Sequence, residues 1–265
     1  MSQAHARAAA RDLISEFGID SPDDIDIQAI AFSRGAFVLD RQLQGSEGRL
    51  VRNGSRGVIA VNSAIRELGR RRFCVAHELA HFELHKLHDQ LKFCSEEMLQ
   101  EYTKLPDEQE ANIFASELLM PEPLFLKLAP THDLDAKTIK ELANRFGTSL
   151  TATLCRFIEI AVIECALLVS SNGVVKWFKA TPKFGFRIVD PGSRLHVHSC
   201  AGEYFTTGNV YHAPQSVPAY CWLANLPSQA LATVTELTIP LPSYQTTLSL
   251  LWTTRGDLES FEIDE

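Results

Sequence analysis

His77, Glu78 and His81 stand in the order His-Glu-Leu-Ala-His. On an α-helix, residues four apart share a face, so His77 and His81 would offer two imidazole nitrogens to one ion. Glu78 would reach a water on that ion without binding it. The H-E-x-x-H spacing suits hydrolysis of a peptide bond, in which zinc acidifies the water and the glutamate takes its proton. A chance match arises in roughly a few His-rich chains per hundred, so the flanking residues have to decide.

Those flanks read as a core helix. Phe73, Val75, Ala76, Leu79, Ala80, Leu84 and Leu87 form a broad apolar surface at helical spacing, and no Pro or Gly interrupts residues 70–90. Two buried histidines and a glutamate need a partner, which a metal supplies. His85 lies eight residues past His77, about 12 Å along a helix axis at 1.5 Å per residue, too far to share its ion. A longer signature would need Gly at 84 and His at 87, where the chain has Leu84 and Leu87, and His88 misses by one. His85 and His88 therefore read as packing or surface residues.

A third ligand must come from elsewhere. Residues 107–121 predict a helix with an acidic first turn and Pro121 at its end. Ala111, Phe114, Ala115, Leu118 and Leu119 form its inward stripe. Glu110 lies about 40° from Phe114 around the axis and borders that stripe, which makes it the expected ligand. Glu108 points nearly opposite and is expected in solvent. Glu117 is the runner-up, as a ligand or as a supporting partner.

With these blocks in view, Arg71-Arg72-Phe73 leading to His77-Glu78-Leu79-Ala80-His81-Phe82, joined to Glu110-Ala111-Asn112 and Leu118-Leu119-Met120-Pro121, the chain resembles the ImmA/IrrE family of zinc metallopeptidases. Cys94 stands where relatives often carry cysteine, and Ala80 where many have glycine. The resemblance covers roughly residues 5–125. It implies a gluzincin-like site with His77, His81 and Glu110 on Zn2+ and Glu78 as general base, with Mn2+ as an alternative ion. It also implies a substrate, a helix-turn-helix repressor of the Xre/cI type, whose cleavage would derepress stress or mobile-element genes.

Composition narrows the setting. The six cysteines, at 74, 94, 155, 165, 200 and 221, include no C-x-x-C pair, so neither a disulfide framework nor a zinc ribbon is indicated. Residues 2–17 predict a short amphipathic helix without a signal-peptide core. The densest apolar run, 158–169, is too short to span a bilayer and contains Glu159 and Glu164. A cytoplasmic protein without a membrane anchor is expected. The net charge of −8 argues against nucleic acid as the main partner. Acidic residues concentrate at 94–122 and 257–265.

The expected fold is α+β. Residues 1–136 would form a zincin-like metallopeptidase domain, with strands at 31–43 and 47–62 turned by Asn53-Gly54. The edge strand of that sheet would be a place for an extended peptide to dock. Residues 137–165 predict two helices resembling a helix-turn-helix, with a weak basic cluster of Lys137, Lys140, Arg145 and Arg156. A packing role is favoured over DNA contact for that segment. Residues 166–265 would form a β-rich sensing or docking domain, GAF-like in the best-known relatives. Its strands are expected at 167–179, turned by Asn172-Gly173, and at 194–198, 219–224, 232–240 and 248–253. His196, His198 and Cys200 would alternate along one strand face. The function expected is site-specific, zinc-dependent proteolysis of a repressor. The rival is a non-proteolytic, metal-containing regulator that binds a repressor or DNA.

Overall fold

The computed structural model describes residues 2–85, 92–94, 105–129, 134–160, 163–224 and 232–253. His88 and the tail 257–265 lie outside them. The fold is mixed α+β, and the chain divides into two compact units: residues 1–129 with 142–152, and residues 130–141 with 153–265. The two predicted helices near 137–165 are thus shared between units and do not form a segment of their own.

The first unit begins with α1 (Gln3–Glu16), whose N-terminus is capped by Ser2 accepting from the His5 amide. Asp26 caps α2 (Ile27–Ser33) by accepting from the amides of Gln28 and Ala29. This cap draws residues 31–33 into a helix where the sequence predicted strand, and β1 (Ala36–Arg41) starts only after Gly35. β2 (Gly48–Asn53) and β3 (Arg56–Asn62) form the predicted hairpin, with Gly54 at φ +58° in its turn. β1 runs parallel to β3, and β4 (Lys92–Cys94) pairs antiparallel with the outer edge of β2 along Gly48–Leu50. The sheet order is β1-β3-β2-β4, so β1 and β4 stand at its edges among the described residues.

α3 (Leu68–Leu84) lies against this sheet, and α4 (Pro106–Leu119) lies between α3 and α1. Ion pairs from Arg70 to Glu47 and from Arg71 to Asp40 tie the start of α3 to the sheet. At its far end, Glu83 receives Arg34 through two hydrogen bonds of 3.0 and 3.1 Å. Ala6, Ala10 and Leu13 of α1, Ile59 and Val61 of β3, Leu79 of α3, and Phe114 and Leu118 of α4 share one core. α5 (Glu122–Leu128) follows, and Phe125 stacks on Phe146 of α6 (Ala136–Phe146) at 5.4 Å between ring centres. α7 (Leu150–Ile160) completes the helices around residues 137–160.

The second unit is β-rich. β5 (Cys165–Ser171) and β6 (Val174–Ala180) form the predicted hairpin, with Asn172 at φ 52° and Gly173 at φ 75°. With β7 (Gln215–Pro218), β8 (Thr233–Leu241) and β9 (Thr246–Trp252) they make an antiparallel sheet of order β6-β5-β9-β8-β7. β8 and β9 fall where the sequence placed them. Residues 194–198 do not form a strand; only Arg194 makes an isolated bridge, and Cys200 begins α8 (Cys200–Thr207). The alternating face of His196, His198 and Cys200 is therefore not formed. Residues 219–221 form a 3-10 turn. Glu236 of β8, fully buried, accepts from the amides of Cys200 and Ala201 at the start of α8 and from the Trp222 indole. A carboxylate at a helix N-terminus is favoured by the dipole there.

Candidate metal centre

α3 is buried through its second half, from Cys74 to Phe82, and it places His77 and His81 one turn apart with their Nε2 atoms 3.1 Å from each other. Facing them is Glu108 in the first turn of α4, with Oε2 3.1 Å from His77 Nε2 and Oε1 3.4 Å from His81 Nε2. These three residues are buried and form one group able to hold a metal ion.

Glu110, the carboxylate expected on the ion, is turned to the end of α3, where its Oε2 lies 3.1 Å from His85 Nε2. Glu108, expected in solvent, is 4% exposed. The reason lies in the surroundings of α4. An inward stripe opposite a wet face presumes one buried side, but α4 packs against α1 and α3 and is buried all round. Its face toward α3 carries Glu108 and Asn112, four residues apart. Glu117 faces the opposite neighbour and pairs with Arg11 of α1 at 3.0 Å and with Arg7 at 3.7 Å. The i, i+4 spacing of Glu108 and Asn112, matching that of the two histidines, is the signal that could have identified this face.

Asn112 Oδ1 lies 3.0 Å from His77 Nδ1. An amide oxygen only accepts, so His77 carries its hydrogen on Nδ1 and presents a lone pair from Nε2. That lone pair faces the Glu108 carboxylate, whose pKa is set by competing effects. Burial alone would raise it; in the ion-free site, hydrogens on the facing nitrogens of His77 and His81 would outweigh burial and hold it well below the ordinary range. The opening turn of the helix also favours the anion.

The residues fit a metal. Four ligands held tetrahedrally at about 2.0–2.1 Å stand about 3.3–3.4 Å from one another. The two Nε2 atoms lie 3.1 Å apart. The Glu108 carboxylate meets them with different oxygens, Oε2 at 3.1 Å from His77 and Oε1 at 3.4 Å from His81, separations close to the edges of such a figure. Two imidazoles and one carboxylate leave a fourth position for water or substrate.

Glu78 is fully buried beside the ligands, and it packs under Gly48 of β2. A methyl group at position 48 would lie 2.5 Å from Glu78 Oε1 and 2.6 Å from Cys74 Sγ. Glycine is therefore required there for close approach. His85 was read as a packing or surface residue. It is buried where α3 ends, and its Nδ1 lies 2.9 Å from His81 Nδ1. Asp107 Oδ1 stands 3.9 Å from His85 Nε2.

An H-E-x-x-H helix on a small sheet, with a carboxylate delivered by a following helix, defines the metal-site class of the HExxH hydrolases. The chain belongs to the Peptidase_M78 family, a metallopeptidase family, with residues 24–157 matching its IrrE N-terminal-like domain. Among solved structures, a Mycobacterium tuberculosis transcriptional regulator is similar in fold, with a TM-score of 0.61 at 17% identity over 94% of this chain and 76% of that one. Comparison with curated protein sequences gives no match. Among the described residues, no helix is long and apolar enough to cross a membrane.

Proposed function

We propose that the protein is a zinc-dependent, site-specific protease whose substrate is a cognate Xre/cI-type helix-turn-helix repressor, cut to release stress or mobile-element genes. The convergence of His77, His81 and Glu108 beside Glu78 is the observation that carries this reading. A set of two nitrogens and one carboxylate oxygen favours zinc, with manganese able to use the same donors at lower affinity. Such an ion supplies Lewis-acid chemistry, acidifying water and polarising a carbonyl. His77 and His81 would hold it from one helix and Glu108 from the next. Glu78 takes the proton of the attacking water and returns it to the leaving amine nitrogen as the peptide bond breaks.

The solved neighbour is named a transcriptional regulator. The corresponding rival for this chain is a metal-containing regulator that binds a repressor or DNA without cutting it. Glu78 argues against that rival, because a purely structural ion has no use for a base beside its ligands.

The deciding experiment incubates the purified protein with Xre-type repressors from the same genome, with and without Zn2+ or Mn2+, alongside Glu78→Gln. Metal-dependent cutting at one position, lowered about 10²–10⁴-fold in the variant, is expected for a lost acid-base group. Tight metal binding with no cutting, and equal repressor binding by both proteins, would establish the regulator instead.

A further inference from the structure

Glu110 and His85, left without a task by the metal centre, stand in line with one of its ligands. We propose that Glu110, His85 and His81 form a hydrogen-bonded relay that fixes the tautomer of His81 and confines metal binding to the group His77, His81 and Glu108. The proposal rests on the reading of that group as a metal centre.

Glu110 Oε2 lies 3.1 Å from His85 Nε2, and His85 Nδ1 lies 2.9 Å from His81 Nδ1, with all three residues buried. A carboxylate only accepts, so His85 Nε2 carries a hydrogen. A neutral imidazole has one N–H, so His85 Nδ1 presents a lone pair. The hydrogen between the two rings then belongs to His81 Nδ1. His81 Nε2 is left bare, 3.1 Å from His77 Nε2 and 3.4 Å from Glu108 Oε1, as a ligand must be. Asn112 does for His77 directly what Glu110 does for His81 through a second ring.

The same logic decides between two cation sites. His85, Asp107 and Glu110 also bring ligand atoms within 4.8 Å of one another. Binding there would require a lone pair on His85 Nε2, moving its hydrogen to Nδ1. That hydrogen would point at His81 Nδ1, which must then accept and carry its own hydrogen on Nε2. One hydrogen between two rings can serve one site, so the two groups exclude each other. The His77, His81 and Glu108 group is the one that geometry favours: it is wholly buried with facing atoms within 3.4 Å, whereas Asp107 stands 3.9 Å from His85 Nε2 with a side chain more than a third exposed.

The test is Zn2+ titration of the chelator-stripped, full-length protein against a competing chromophoric chelator. The proteins compared are wild type, His77→Leu, His85→Leu and His85→Asn, each checked for folding by circular dichroism. Wild type is expected to bind one ion, and His77→Leu to lose it. His85→Leu should bind about 10–100-fold more weakly, the usual effect of removing a group that orients a ligand. His85→Asn, whose Oδ1 stands near the lost Nδ1, should recover most of that affinity. Mere packing predicts the opposite order, since leucine fills a buried apolar space better than asparagine. Histidine-selective 15N NMR of the wild type gives a second measurement should His85→Leu fail to fold, and His85 is expected with its hydrogen on Nε2. Two ions per wild-type chain, a His85→Leu variant binding as tightly as wild type, or His85 with its hydrogen on Nδ1 would overturn the relay alone. A wild type that binds no ion would overturn the metal centre with it.

Discussion

Asn112 and His77 are joined at 3.0 Å, and the helix that supplies Asn112 also supplies Glu108, 3.1 Å from the other nitrogen of the same ring. One helix face thereby orients an imidazole and offers a carboxylate on its far side. Asn112→Leu should remove the acceptor for Nδ1 and weaken Zn2+ binding by about 10–100-fold, whereas Asn112→Asp should retain it. Competition titration with a chromophoric chelator reads both.

Two carboxylates only two residues apart on α4 have different neighbours. Glu108→Ala removes a donor from the metal group, and the purified variant should hold no zinc after dialysis. Glu110→Ala leaves all three donors in place, so it should still bind one ion, more weakly than wild type. Metal content by elemental analysis separates them. Zinc retained by Glu108→Ala and lost from Glu110→Ala would return the ligand role to Glu110.

Gly48→Ala places a methyl group 2.5 Å from Glu78 Oε1. Because β2 is held by β3 on one side and β4 on the other, the strand cannot simply move away. A loss of about 1–3 kcal/mol is expected, the usual penalty for overpacking, together with reduced activity from a displaced Glu78. Urea denaturation gives the first number and repressor cutting the second. Unchanged stability would mean that the Glu78 side chain has room to turn aside.

Three thiols of the second unit should be inert. Burial pushes Cys165, Cys200 and Cys221 up to about 12, with the charge of Glu236 adding to the effect at the last two. A raised pKa keeps the thiol protonated, and at pH 8 only on the order of one in ten thousand molecules carries the reactive thiolate. Alkylation by iodoacetamide, mapped by mass spectrometry, should spare these three in the folded protein and reach them in denaturant. Rapid labelling of any of them at pH 8 in the folded state would contradict that burial.

His77, Glu78 and His81 were legible because helix geometry ties spacing directly to shared direction. The two hairpins were legible because their turns need positive φ, which Gly54, Asn172 and Gly173 supply, although the first turn falls on Gly54-Ser55 and Asn53 ends β2. The choice between Glu108 and Glu110 was not legible, because it depends on which neighbours enclose α4, and α1 comes from 100 residues upstream. The setting of His85 was hidden in a similar way. Counting along the helix set it apart from His77, and it stands outside the group His77, His81 and Glu108. The count did not show that α3 ends at Leu84 with His85 Nδ1 2.9 Å from His81 Nδ1. Residues 194–198 had the alternation of a strand, yet the start of α8 and the carboxylate of Glu236 claim the following backbone amides.

The chain leaves its first compact unit after residue 129, returns for 142–152, and leaves again. The returning stretch carries Phe146, stacked on Phe125, and Thr148, whose backbone lies so close to Gly69 that a methyl group there would meet it at 2.4 Å. No single cut can therefore release two whole halves. A clone ending near residue 136 would carry every proposed metal ligand yet lack part of the wall behind the α3 that holds them. The shortest piece that contains the whole first unit runs to residue 152 and carries residues 130–141 of the second with it, so its boundary falls inside α7 and not between two helices.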